Sequence, residues 1–283
     1  RLLQNRIYYY SLMSGADYFS EEWGLNCSYT DMSTYALSPY GRVKKDFIHA
    51  AETLRGIRAV TPFAIVLPKD YVCIEIPEPF ETKAYAEYKL GNHRDVYMRS
   101  PLNASEKAYF GHIEDVLKLI YEPFGERYGN EGHTLTNSRF GDFFDIIYAD
   151  ADDSVFDRYD YLIDATKDGT FMKKHADKRW KILDSADLSA LEYRIHELER
   201  ECLPCTVDGL HWLISTDEIG VRYLTLFNNE GNERDDRLGD IIDRNADRTV
   251  MVTFCEECSP KKIQGSDVGF KIEQENPKTF RIT

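Results

Sequence analysis

The spacing of apolar residues changes along the chain, and each change predicts an element. Leu3, Ile7 and Tyr10 share one face of a helix predicted over 1–14, with Gly15 as its stop. "ADYF" then reads as a short strand and "LNCSYTDMSTYA" as a polar loop. A second helix is better marked: Ser38 suits the N-cap and Pro39 the first helical position. Val43, Phe47, Ala51 and Leu54 follow at helical spacing, and Gly56 ends the run. "FAIVLP" (63–68) is almost continuously apolar, which suits a parallel strand buried on both faces. Residues 69–101 are irregular and rich in Pro and Tyr, as an insertion at the end of that strand would be. Asn103 and Glu106 form a capping-box-like start to a helix carrying Tyr109, Phe110, Ile113, Val116, Leu117 and Ile120. "FFDIIYAD" (143–150) and "YDYLIDAT" (159–166) read as two more buried strands. Ser189 with Glu192 opens a further helix, whose apolar stripe is Leu191, Ile195 and Leu198. Strands alternating with helices predict an α/β fold around a doubly wound parallel sheet.

The pattern shifts near Pro204. "GLHWLIST", "VRYLTLFNN", "RTVMVTFC" and "VGFKIE" alternate with period two or run short and apolar, and "NNEG" (228–231) reads as a turn. This predicts a small antiparallel β-domain. Pro204 marks its start, because proline disfavours helix continuation and biases the residue before it towards extended structure. Val207, Leu210, Trp212 and Ile214 are the expected core residues of that domain. The chain begins at Arg1 and ends in the strand-like "KTFRIT", so a fragment of a longer chain is expected. No internal repeat or low-complexity stretch is visible.

Composition narrows the function classes. Of 283 residues 42% are apolar, enough for a substantial core. The net charge is −14 against 35 basic residues, with no Lys/Arg cluster. A nucleic-acid binder needs a basic footprint to neutralise phosphates, so nucleic acid is not an expected partner, nor is an anionic membrane. No run of about 18 apolar residues suggests a membrane span. No signal peptide is visible, and a cytoplasmic location is the expectation.

The six cysteines do not suggest a small disulfide scaffold in a chain this large. Four of them form two C-x-x-C pairs, Cys202/Cys205 and Cys255/Cys258. Two such pairs can hold zinc by four thiolates, but the usual gap between pairs is about 15–20 residues. Here 49 residues separate Cys205 from Cys255. Free thiols that pack as small apolar groups are therefore the expected state, with zinc and then a local disulfide as the alternatives. No other cofactor is implied. The 19 tyrosines read as amphipathic side chains at packing boundaries rather than as sugar platforms. The polar loop "GNEGHTLTNSRFGD" (129–142) specifies no chemistry, and "DADDSVFDRYD" reads as a solvated loop.

The order of parts carries a resemblance. A helix, a "GADYFSEEWG" strand, a "LSPYGRVKKDFIHAAETLRG" helix, a "PFAIVLP" strand, a "FDIIYADADDSVFDRYDYLIDAT" strand pair and a "RYLTLFNNEGNERD" hairpin follow one another. This resembles the C-terminal half of a TIM-barrel glycoside hydrolase of the β-galactosidase (family 42-like) kind, over nearly all of the chain. The resemblance implies three parts. Residues 1–58 would be the tail of a (β/α)8 barrel, 59–204 a flavodoxin-like, glutamine-amidotransferase-like domain, and 205–283 a C-terminal β-sandwich. It also implies a carbohydrate substrate bound through the parent barrel, and a homo-oligomer, a trimer in the family.

The same resemblance places the acid/base glutamate and the nucleophile on barrel strands before Arg1, so no catalytic residue is expected in this chain. Glu21, Glu22 and Trp23 would stand at the C-terminal end of a barrel strand, on the pocket rim, where they can contact sugar. Glu21 and Glu22 cannot together be the catalytic pair. A retaining enzyme needs two carboxyl groups about 5–5.5 Å apart across the sugar, and neighbours on a strand point to opposite faces. An amidotransferase nucleophile needs a Gly-x-Cys-x-Gly turn beside a histidine. Cys73 in "DYVCIEI" has no glycine near it, and "IHELE" (195–199) reads as the exposed side of a helix. The middle domain is expected to keep the fold without the chemistry. The alternative is a stand-alone ligand-binding or oligomerisation module, or more weakly a zinc-stabilised regulatory domain.

Overall fold

The structure, a computed structural model, describes residues 2–20, 27–69, 71, 104–122, 137–138, 140–208, 210–228, 232–235, 239–242, 248–261 and 269–283. The N-terminal part contains α1 (Leu2–Met13), β1 (Tyr29–Asp31), β2 (Ala36–Leu37), α2 (Pro39–Thr53), β3 (Arg58–Ala59) and β4 (Phe63–Leu67). Next come α3 (Ala104–Ile120), β5 (Tyr121–Glu122), β6 (Asn137–Ser138), β7 (Phe144–Tyr148), α4 (Asp153–Phe156), β8 (Tyr161–Asp164), α5 (Thr170–Lys174), β9 (Ile182–Asp184) and α6 (Leu188–Cys202). Among the described residues the regular elements of the C-terminal part are strands: β10 (Cys205–Asp208), β11 (His211–Thr216), β12 (Arg222–Phe227), β13 (Asn232–Asp235), β14 (Gly239–Ile242), β15 (Val250–Phe254), β16 (Ile272–Asn276) and β17 (Thr279–Ile282). The fold is mixed α/β, with one parallel sheet and several antiparallel ones, and among the described residues no sheet closes into a barrel. No helix among them is long and apolar enough to cross a membrane.

The chain divides into two compact units. One comprises Arg1–Val60, Asn137–Phe143 and His196–Thr283, the other Thr61–Thr136 and Phe144–Ile195. The segments expected as barrel tail and β-sandwich thus fall in one unit.

The second unit is built on the parallel sheet β7-β4-β8-β9. Numbered along the chain, the strand order is 2-1-3-4. All five residues of β4 are buried, as its unbroken apolar run predicts. One core gathers Ala64, Val66, Phe156, Tyr159, Leu162, Phe171 and Ile182. The helix α3 buries Ile113, Val116 and Ile120 completely, a stripe at three- and four-residue spacing. Each such side chain contributes about 1.5–3 kcal/mol. Several buried polar groups in this unit are paired, although the buried His175 Nε2 has no hydrogen-bond partner among the described residues. The Tyr159 hydroxyl donates to Asp145 Oδ2 at 2.9 Å, and Thr61 Oγ1 donates to the same oxygen at 2.8 Å. Burial, helped by that carboxylate, pushes the Tyr159 phenol up to about 12. Lys181 is buried and donates to the carbonyls of Phe156 (2.8 Å) and Tyr159 (3.1 Å). Desolvation lowers its pKa, against the opposing pull of Asp157.

The first unit opens with α1, which ends as its sequence predicts. Gly15 adopts φ +91°, and the bonds Gly15 N to Leu12 O (3.0 Å) and Ala16 N to Ser11 O (2.9 Å) close the last turn. Ser38 caps α2: its Oγ accepts from Gly41 N at 2.9 Å. Tyr8, Leu12, Val43 and Phe47 form the core between α1 and α2, with the Tyr8 and Phe47 rings stacked at 4.6 Å. A second core joins Met13, Ile57, Leu213 and Phe227. The strands form two antiparallel sheets, β10-β15-β17-β16 and β12-β11-β3, with β13 and β14 paired separately.

Four expectations are corrected. "ADYF" is not a strand: residues 16–20 carry no regular structure and no ladder pairs them; Tyr18 is 93% exposed, and Phe19 packs edge-on against Phe47 at 5.1 Å. The expected polar loop folds into the hairpin β1/β2, because Asp31 accepts from Ser33 N (2.8 Å), Ser33 Oγ (2.7 Å) and Thr34 Oγ1 (2.9 Å). These bonds, Ser33's first, lower the Asp31 pKa. The cap of α6 is Asp187, not Ser189: its Oδ1 accepts from Ser189 N (3.0 Å) and Ala190 N (3.1 Å). β11 does not alternate in burial, since His211 through Ser215 are all buried.

Candidate functional site

Glu21, Glu22 and Trp23 lie outside the described residues, as does Cys73. The other predicted site residues, the four C-x-x-C cysteines, are described, and all belong to the first unit. The helix α6 ends at Cys202, and β10 starts at Cys205 after Leu203 and Pro204. β10 runs antiparallel to β15 with Cys205 opposite Phe254. One step further, Cys255 N donates to Pro204 O at 2.9 Å. The two C-x-x-C segments therefore meet at the same end of one strand pair. Counting residues between the pairs missed this, because β11 to β14 leave the pair and the chain returns to it. The readable signal was a C-x-x-C just before one strand and another just after a second.

The thiols sit in different surroundings. Cys205 is buried, Cys202 and Cys258 are half-buried, and Cys255 is exposed. The Cys255 thiol donates to Leu203 O at 3.2 Å and lies 3.8 Å from Arg200 O. These carbonyls belong to the C-terminal end of α6, where intrahelical donors run out. Burial, with Cys255 and Cys258 close by, pushes the Cys205 thiol up to about 12. Burial also raises the pKa of Cys258. No disulfide joins these cysteines. Among the described residues, no three His, Cys, Asp or Glu side chains stand ready to hold a metal ion.

A cleft of about 360 Å³ lies beside the first C-x-x-C, lined in part by Glu201, Cys202, Pro204, Thr216 and Arg222. Its size is at the lower end of the range for small-molecule sites. It offers one acid, one guanidinium, one thiol and an apolar floor that includes Ile214.

A second polar cluster in the same unit was not anticipated. The Tyr10 hydroxyl donates to Asp142 Oδ2 at 2.6 Å, and His211 Nε2 stands 3.9 Å from that oxygen. The His211 side chain is 1% exposed and lies against the rings of Tyr10 (5.6 Å) and Phe227 (5.3 Å). Neither of its ring nitrogens has a hydrogen-bond partner among the described residues. At 3.9 Å there is no hydrogen bond to Asp142, so His211 serves there as an aromatic packing group. Glu199 also departs from expectation. It is buried rather than exposed, and accepts from or donates to His196 Nδ1 at 2.8 Å. Burial raises its pKa, and His196 opposes the shift.

In the second unit, polar groups gather at the C-terminal end of β8, where open parallel sheets place ligands. Asp164 Oδ1 accepts from Thr166 N (2.9 Å) and Thr166 Oγ1, and Oδ2 accepts from Met172 N (2.8 Å). Ser185 Oγ donates to Asp164 O at 2.6 Å, and His112 Nε2 is 2.9 Å from Ser185 Oγ. The Asp164 carboxylate thus holds the backbone entering α5 and is committed to that task. Comparison of the chain with protein-family models, with curated proteins and with solved structures finds no match.

Proposed function

We propose that this chain is the C-terminal portion of a carbohydrate-active glycoside hydrolase, with accessory domains that do no catalysis. The observation that carries the proposal is the strand order 2-1-3-4 of the parallel sheet. It is the start of the flavodoxin-like order, which suits the amidotransferase-like accessory domain that the sequence resemblance implies. Antiparallel sheets built from the C-terminal strands fit the β-sandwich of the same resemblance. In this proposal residues 1–58 are the tail of a barrel, and Glu21, Glu22 and Trp23 line the rim of its sugar pocket. In most glycoside hydrolase families the reaction uses two carboxyl groups and no cofactor. Both carboxyl groups are assigned to the barrel strands upstream. The accessory parallel sheet fits a passive role: the acid at the end of β8 holds backbone, and the only cysteine in this unit's sequence, Cys73, lacks a turn glycine beside it. A homo-oligomer, a trimer by resemblance, is part of the same proposal.

A second reading, a ligand-binding module, is favoured by the cleft lined by Glu201, Cys202 and Arg222. Activity separates the readings from a self-sufficient enzyme. The chain alone is expected to turn over no member of a panel of aryl glycosides. Turnover that disappears in Glu22→Gln would overturn this and make Glu22 catalytic.

A further inference from the structure

We propose that Cys202, Cys205, Cys255 and Cys258 together bind one zinc ion through four thiolates, at the end of the β10–β15 pair. The proposal stands independently of the glycoside hydrolase reading. Its first support is the register. Cys205 faces Phe254, and the Cys255 N to Pro204 O bond (2.9 Å) extends the ladder by one residue. Two C-x-x-C segments fixed side by side supply two pairs of soft donors, the set that selects zinc over hard, oxygen-seeking cations. The long gap in sequence is no obstacle, because strand pairing sets the separation in space.

The second support is the surroundings. The Cys255 thiol already reaches into the first C-x-x-C segment, donating to Leu203 O at 3.2 Å. A tetrathiolate zinc site keeps a net charge of about −2, and a basic group stands next to it. Lys278 Nζ donates to Cys255 O at 2.7 Å, and Phe254 N donates to Lys278 O at 2.8 Å.

The thiols as placed do not converge to ligating positions. Side-chain rotation is the adjustment the site asks for. A change between staggered χ1 rotamers moves a cysteine sulfur by about 3 Å, while the β10–β15 pairing keeps the backbone of Cys205 and Cys255 in place. Each thiol that ligates releases its proton to solvent, so binding weakens as pH falls. The ion would tie the end of α6 to β15, a staple of the kind small β-rich parts use to supplement their cores.

The test uses the full chain, reduced and stripped with a chelator, then titrated with Zn²⁺ or Co²⁺. One zinc per chain is expected to survive gel filtration. Cobalt should give the intense bands of a tetrahedral tetrathiolate. Zinc should slow the reaction of the four cysteines with a thiol reagent and leave exposed Cys27 reactive. Cys258→Ser and Cys202→Ser, at half-buried positions, should each weaken zinc binding by at least about tenfold, and Cys27→Ser should not. Circular dichroism checks that the variants fold; if they do not, the cobalt spectrum of the unmodified chain decides. Weak octahedral cobalt bands, equal thiol reactivity with and without zinc, or a disulfide in the purified chain would each overturn the proposal.

Discussion

Trp212→Ala is expected to destabilise the unit that contains β11 by about 3–5 kcal/mol, the usual cost of emptying a large buried aromatic site. The indole is 3% exposed and lies 5.7 Å from the Phe143 ring. The backbone closes over it. Gly141 adopts φ +100°, and a Cβ there would stand 2.5 Å from Trp212 Cε2. Asp142 N donates to Trp212 O at 2.8 Å, which fixes this approach. The glycine is thus required twice, for its backbone angle and for the room it leaves the ring. A tryptophan so enclosed cannot serve as a stacking platform for a sugar. Denaturant unfolding measures the effect. A loss below about 0.5 kcal/mol, the level of a surface change, would mean that the ring is exposed in solution.

A loss of similar size, about 3–5 kcal/mol, is expected for Phe156→Ala in the parallel-sheet unit. Phe156 is fully buried at the end of the four-residue helix α4. Its ring meets Phe171 at 4.9 Å and His175 at 5.4 Å, and its carbonyl accepts from buried Lys181. A helix of one turn has little stability of its own, so this side chain anchors the segment between β7 and β8. The alanine variant should unfold at lower denaturant with an unchanged slope. A shift worth less than about 1 kcal/mol would show that the cavity collapses without cost and that Phe156 is not an anchor.

What was legible in the sequence was local. Ser38 and Pro39 announced α2 because cap chemistry acts within one turn. "FAIVLP" announced β4 because burial on both faces leaves an unbroken apolar run. The choice between Asp187 and Ser189 at the start of α6 was not legible, since both are good caps and only the bonds formed decide. Pairing was less legible still. β3 has two residues and no periodicity, yet it extends the β11 ladder with Ala59 opposite Ser215 and Val60 N bonded to Ile214 O at 2.8 Å. The meeting of the two C-x-x-C segments is the same kind of fact, a consequence of register between strands far apart in the chain. The candidate sugar-contact residues Glu21, Glu22 and Trp23 rest on the family resemblance alone.

The most direct measurement is hydrolysis of aryl β-galactosides by the product of the complete reading frame, compared with this chain. Assignment as the C-terminal portion of a glycoside hydrolase predicts turnover by the complete product only. That turnover should vanish when either of two glutamates on the upstream barrel strands is replaced by glutamine. A reading frame without such a barrel, or turnover by the 283-residue chain itself, would contradict it.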